Sequence, residues 1–331
     1  MKEKILIKND EVRVISPMYS YGADKHLEPR PTELKGLLRN TYRIANPYLD
    51  VNSLYKYEVA LFGGQLKVNG ESIAKASPLQ IYMTEKEKSS DINKIQLLFH
   101  RKKSPDPEAY DYGKIFRLKL LINDKPDELI SISFLENRDV KQWYTDLFNL
   151  SLLIGGIGKR TRRGRGCMTT DELSKISSKD LLQKVTELLN SVCGYDVYNF
   201  SKDTVKLAHT EKDTDKQRPY IREIFCGELL LKNKKSVEQY LRKIDWASHY
   251  MADKYGNNRA TGYCMNGRFA SSVIVSLAET KEGIVPVYTI LNARYKFENK
   301  DEQDIKNEQY EFINIVENEE KIRKIEAGEK I

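Results

Sequence analysis

Residues 143–168 read WYTDLFNLSLLIGGIGKRTRRGRGCM, and the fold turns on how that stretch is understood. Trp143, Leu147, Leu150 and Ile154 recur at i, i+4, i+7 and i+11, the spacing that lines one face of a helix. Gly155 and Gly156 then stop the helix. The loop that follows interleaves Gly155, Gly156, Gly158, Gly164 and Gly166 with Lys159, Arg160, Arg162, Arg163 and Arg165, and it contains no acid. Glycine permits positive φ and lets a ligand come close to the peptide groups. Cations packed this densely repel one another unless an anion completes the site, and a polyphosphate strand supplies that anion best. A solvated basic loop is the competing reading. Loops without a partner, however, rarely set so many glycines beside so many arginines.

Two phosphate-binding motifs can be tested against the loop, and both fail. A Walker loop ending at Gly158-Lys159 needs glycine where Leu153 stands and Ser or Thr where Arg160 stands. A dinucleotide fingerprint starting at Gly156 needs Gly or Ala where Thr161 stands. The expectation is therefore a nucleic-acid backbone, not a nucleotide pocket.

Working upstream, Asp139 caps the 143–154 helix and short strands are predicted over 95–100, 114–122 and 129–134. Residues 4–16 alternate as a first strand, and 16–31 form a loop. Thr32 is the expected N-cap of a helix whose apolar stripe is Leu34, Leu37, Leu38, Thr41 and Ala45. Lys35, Arg39 and Arg43 fall at i, i+4 and i+8 on another edge, where they repel mildly unless they meet phosphates. With a short strand at 166–170, the order is βαββαβ, an α+β, ferredoxin-like arrangement. The polar stretch 63–94 is an insertion in that scheme.

Downstream, helices are predicted over 179–190 and 237–255, and strands over 222–231 and in the runs VIVSLAE and VPVYTILNARY. The charged stretch 202–219 is expected to be a loop, and the charged residues from 298 onward a frayed terminal helix. A chain of 331 residues holds two domains, here 1–172 with the basic loop and 173–331 with the charged tail. The expected fold is thus two tandem ferredoxin-like domains.

The net charge of +7 is a weak pointer to nucleic acid, and its clustering in the loop is a stronger one. Cys167, Cys193, Cys226 and Cys264 show no C-x-x-C spacing, and His26, His100, His209 and His249 are dispersed, so no metal or other cofactor is expected. No apolar run reaches membrane-spanning length and the N-terminus lacks a signal-peptide h-region, so a cytoplasmic protein is expected.

The helix, Gly-rich basic loop and short strand resemble the signature of the RAMP superfamily, RNA-binding proteins of CRISPR systems. The run Glu28-Pro29-Arg30-Pro31-Thr32-Glu33-Leu34-Lys35-Gly36-Leu37-Leu38-Arg39 is similar to its R-x-S/T-x-x-K-G-x-x-R segment. Pro17-Met18-Tyr19, Gly22-Ala23-Asp24 and Glu58-Val59-Ala60-Leu61-Phe62-Gly63 bring the likeness closest to the first-subunit family of the type III-B (Cmr) effector complex. Arg268 and Ser271-Ser272 match a second R-x-x-S element. Asn40-Thr41 depart from the pattern, which tends to place aromatic residues there.

The resemblance implies a non-catalytic ribonucleoprotein subunit of antiviral defence that helps to hold the 3′ region of the guide RNA and to capture target RNA, with guide RNA, single-stranded target RNA and other effector subunits as partners. Its alternative is a RAMP-type, metal-independent endoribonuclease that processes precursor guide RNA. The residues show no catalytic centre, since His26 is the only histidine near the basic motifs and Asp24 and Glu28 beside it are marked by nothing but proximity. The candidate RNA-binding set is Lys35, Arg39, Arg43, Gly155, Gly156, Gly158, Lys159, Arg160, Arg162, Arg163 and Arg165.

Overall fold

The computed structural model describes residues 4–68, 70–87, 91–99, 105–123, 135, 138–209, 218–264, 268–292 and 302–328. The chain begins with β1 (Lys4–Val14), α1 (Pro31–Ala45) and α2 (Val51–Phe62). There follow β2 (Gly64–Val68), β3 (Glu71–Lys75), β4 (Leu79–Glu85), β5 (Ile92–Lys94), β6 (Glu108–Tyr110) and β7 (Ile115–Asn123). Next come α3 (Val140–Ile154) and β8 (Met168–Thr170). The first sheet has the order β4-β7-β1-β8, antiparallel throughout. Reading β1, β4, β7 and β8 as the four strands gives the βαββαβ ferredoxin-like topology. β2–β3 and β5–β6 are side hairpins outside that sheet.

The second half contains α4 (Leu181–Cys193), β9 (Tyr198–Ser201), β10 (Thr204–Leu207), β11 (Ile221–Cys226) and α5 (Lys234–Tyr255). After these come β12 (Tyr263–Cys264), β13 (Arg268–Phe269), β14 (Val273–Thr280), β15 (Gly283–Leu291), α6 (Glu302–Glu317) and α7 (Glu319–Glu326). Its sheet runs β14-β15-β11-β10-β9. The path β11-α5-β14-β15-α6 repeats the first five elements of the ferredoxin-like unit. The place of the fourth strand, however, is taken by β10, which precedes β11 in sequence.

α3 sits between the two sheets, packed on β1 and β8 of one and on β14 and β15 of the other. That placement explains its composition: every residue from Leu147 to Ile154 is buried, and a helix apolar on all sides needs cover on all sides. Asp139 caps it as expected, its carboxylate accepting from the Lys141 amide at 2.9 Å. The Trp143 indole N–H donates to the Val192 carbonyl (3.1 Å) and the Tyr144 hydroxyl to the Leu61 carbonyl (2.8 Å), so both aromatics enter the core with their polar atoms satisfied.

Four expectations are corrected. α1 starts at Pro31, not Thr32, because proline fits the first helical position, where its missing N–H costs nothing. The second core strand is β4 (Leu79–Glu85), inside the supposed 63–94 insertion, whereas 95–99 forms no strand. The decisive signal was the alternation in LQIYMTE, which buries Leu79 and Met83. Within the supposed 202–219 loop, Thr204–Leu207 pairs with two neighbours as β10. The charged end is not frayed: Phe312, Ile313, Ile315, Val316, Ile322 and Ile325 are buried in the core beneath the second sheet's helices. The predicted strand at 129–134 lies outside the described residues.

The buried C-terminal helix gives a direct test. Phe312→Ala should lower the unfolding free energy by about 3–5 kcal/mol, seen as an earlier midpoint in chemical denaturation. An unchanged midpoint would mean that α6 does not belong to the core.

Candidate nucleic-acid interface

The basic loop folds back on itself, and that is what its glycines serve. A Cβ on Gly166 (φ +68°) would lie 1.8 Å from the Ile157 carbonyl oxygen, and one on Gly156 would lie 2.6 Å from the Arg165 oxygen. Gly158 (φ +91°) is pressed against the backbone at Tyr19, whose carbonyl accepts from the Lys159 amide at 3.1 Å. The sequence expectation assigned these glycines to the approach of a ligand; the structure assigns most of them to the approach of the chain to itself.

The arginines divide into two kinds. Arg165 is wholly buried, with its Nη2 2.6 Å from Oδ2 of Asp245 on α5, and Arg160 reaches Oδ1 of the same carboxylate at 3.1 Å. Asp245 is itself fully buried and also accepts from the Phe99 amide at 2.9 Å. Arg163, also buried, donates to the Ser271 hydroxyl (2.8 Å) and to the Thr261 carbonyl and lies over the Phe312 ring. Burial and the neighbouring Arg160 guanidinium push the Arg163 pKa down, the signature of a cation held where water cannot reach it. The loop contains no acid, but the fold supplies one from a residue 80 positions downstream of Arg165. Lys159 stays exposed, its Nζ 4.4 Å from the Tyr21 ring centre, and Arg162 is half-buried with a hydrogen bond to the Ser271 carbonyl.

The helix cations divide in the same way. Glu58 of α2 is buried and takes both Arg39 (Nε to Oε1, 2.9 Å) and Arg43 (Nη2 to Oε1, 2.6 Å). The E-x-x-L-F-G run and the Arg39/Arg43 pair were both visible in the sequence. The structure joins them as one ion-pair cluster. Lys35 is half-buried, and burial followed by the neighbouring Arg39 pushes its pKa down.

Where the two sequence motifs meet, an open groove of about 300 Å³ runs between α1 and the loop. α1 contributes Glu33, Gly36, Leu37, Asn40, Thr41 and Ile44, the loop contributes Gly155, Gly156, Ile157, Gly158, Thr161 and Arg162, and β14 adds Ile274. The α1 residues fall at i, i+3, i+4, i+7, i+8 and i+11, a face distinct from that of Lys35, Arg39 and Arg43, which do not line the groove. Gly36 has no atom within 4 Å of a would-be Cβ, so no packing requires a glycine in mid-helix there. Of the sequence-predicted set, Gly155, Gly156, Gly158 and Arg162 line the groove. Glu33, Asn40 and Thr41 were missed: by sequence Thr41 belongs to the apolar stripe, Asn40 is only a departure from the RAMP pattern, and Glu33 is a first-turn acid. His26 is exposed in the 16–30 loop, its amide bonded to Asp24 (3.1 Å).

Residues 27–169 match the profile of the RAMP superfamily. Whole-chain comparison extends the likeness of fold to the second half of the protein. Type III-B Cmr-beta bound to cognate target RNA and AMPPnP in the presence of ssDNA aligns over 95% of this chain and 100% of the matched chain, with TM-score 0.53 and 12% identity. Cmr-beta bound to cognate target RNA aligns over the same shares, with TM-score 0.51 and 13% identity. Apo Cmr1 from Pyrococcus furiosus aligns over 92% of this chain and 95% of its own, with TM-score 0.48 and 15% identity. No curated protein matches the sequence. Among the described residues, no group of three or more His, Cys, Asp and Glu is placed to hold a metal ion, and no helix is long and apolar enough to cross a membrane.

The buried ion pairs predict an asymmetry. Asp245→Ala should cost about 3–5 kcal/mol of stability, since it strands the buried Arg165 charge. Asp245→Leu combined with Arg165→Met should recover most of that loss in the same denaturation assay. Gly36→Ala should raise stability by about 0.5–1 kcal/mol while narrowing the groove. A destabilised Gly36→Ala protein would show that this glycine is structural.

Proposed function

We propose that the protein is a non-catalytic, single-stranded-RNA-binding subunit of a type III-B CRISPR effector complex, acting beside other effector subunits on guide and target RNA. The observation that carries this reading is the groove: the RAMP helix and the RAMP basic loop meet across it, with Arg162 in its wall and the exposed Lys159 on the same loop. The fold shared with subunits solved in Cmr-beta with target RNA supports the same assignment. In this reading residues 1–172 carry the RNA path, and 173–331 brace the loop through Asp245 and Ser271. Lys159, Arg162 and the peptide units of Gly155, Gly156 and Gly158 are the contacts, and Lys35 lies outside the groove on another face of α1. Arg163 and Arg165 act indirectly, by fixing the loop from within the core, and Arg160 does so through its bond to Asp245. Such contacts hold a backbone without reading its sequence.

Binding of labelled single-stranded RNA should weaken as salt rises, because each neutralised phosphate releases counterions. Lys159→Ala together with Arg162→Ala should lower affinity and flatten that slope, while leaving the unfolding midpoint nearly unchanged. Affinity independent of salt would remove the electrostatic basis of the proposal. The second reading, a metal-independent endoribonuclease, keeps one supporting observation: His26 lies on the same loop as Tyr21, which Lys159 covers. Precursor guide RNA cut by the wild type and spared by His26→Ala, both in EDTA, would replace the first reading with the second.

A further inference from the structure

Resting on the RNA-binding reading above, we infer that the groove between α1 and the basic loop is a base-reading subsite, which takes one unstacked nucleobase through its exocyclic amino group. A phosphate track alone does not account for its lining. α1 presents no cation to the groove; it presents a carboxylate, an amide and a hydroxyl in Glu33, Asn40 and Thr41. Two of these are incomplete. Thr41 is 1% exposed and its Oγ1 has no hydrogen-bond partner, and the Oε2 of Glu33 is buried and equally without one. Buried polar atoms are ordinarily paired, and an unpaired one marks where a partner belongs.

The chemistry of that partner follows from the acceptor. An ionised carboxylate accepts and cannot donate, so a phosphate oxygen cannot satisfy Glu33. An amino group can, as in the carboxylate-to-cytosine-N4 pairing. Uracil offers keto oxygens on both sides of its only ring N–H on the pairing edge, and these would face the carboxylate. The remaining walls suit a ring: Leu37, Ile157 and Ile274 are apolar, and Gly36 leaves its side of the helix open. A volume of about 300 Å³ lies at the small end of ligand sites, enough for one base and not for a duplex. Arg162 at the groove wall can meet the phosphate attached to the bound nucleotide. The ordinary role of Glu33, a first-turn acid favoured by the helix dipole, 3.8 Å from Arg30 and hydrogen-bonded by the Ser20 side chain, accounts for its Oε1. It accounts for neither the Oε2 nor Thr41.

The test uses the full chain and two labelled RNA decamers, oligo(C) and oligo(U), whose bases differ on the pairing edge by the N4 amino group against O4 and by an N3 acceptor against N3–H. Fluorescence anisotropy across a salt series should show oligo(C) favoured by roughly ten-fold in wild type. Glu33→Gln exchanges one of the two carboxylate oxygens for a donor and should bring the two affinities closer, with the slope against salt unchanged. Thr41→Val removes a hydroxyl that has no protein partner. It should therefore weaken oligo(C) binding several-fold while leaving thermal stability the same or higher, a split that a purely structural role for Thr41 would not produce. Equal wild-type affinity for the two decamers, or a preference that survives in Glu33→Gln, overturns the inference and leaves general RNA binding standing. A wild type that binds neither decamer overturns both.

Discussion

A buried carboxylate carries much of this structure. Asp245 stands in the middle of α5, inaccessible to water, and receives Arg160, Arg165 and the Phe99 amide. Placing cations beside one another in a low-dielectric interior is costly, and a guanidinium in a core is tolerated only when paired and hydrogen-bonded. The basic loop can therefore adopt its shape only where α5 is packed against it. Ser271 and Thr261 extend the same dependence to Arg163. The binding feature of one sheet's unit is thus completed by residues of the other.

The glycines tell the same story from the side of sterics. Gly156, Gly158 and Gly166 allow backbone to touch backbone at separations that no Cβ would survive. The loop becomes a compact turn whose interior is peptide and whose outer surface is what remains for a ligand. Charge that looked continuous along the sequence is sorted by this turn. Arg163 and Arg165 go inward, Lys159 stays out, and Arg162 faces the groove. α1 undergoes an equivalent sorting, in which Arg39 and Arg43 are drawn to Glu58 and the opening toward the loop is left to uncharged residues and Glu33.

α3 is the element on which both arrangements rest. Packed between the sheets, it delivers the loop at its C-terminal end to the line where the two units meet. Bonds from the second half reach it directly, as where the Ser276 hydroxyl donates to the Leu153 carbonyl at 2.8 Å. A groove built there has one wall from α1, one from the basic loop and an end, Ile274, from the second sheet.

Periodicity and stop signals were sufficient to read α1, α3, α5 and the β14–β15 pair from sequence, because each is long and its apolar spacing is unambiguous. β4 escaped because its seven residues lie between polar hairpins, and β10 because four residues in a charged stretch carry no pattern of their own. The clustering of basic residues near Gly155 was likewise fixed by composition alone. What each of those residues does was not, since pairing depends on carboxylates distant in sequence: Glu58 for α1 and Asp245 for the loop. The same holds for Glu33, Asn40 and Thr41, whose shared face is local but whose facing wall is folded in from residues more than a hundred positions away. Spacing along a chain determines which side chains share a surface; only the packed structure decides which of them are already satisfied.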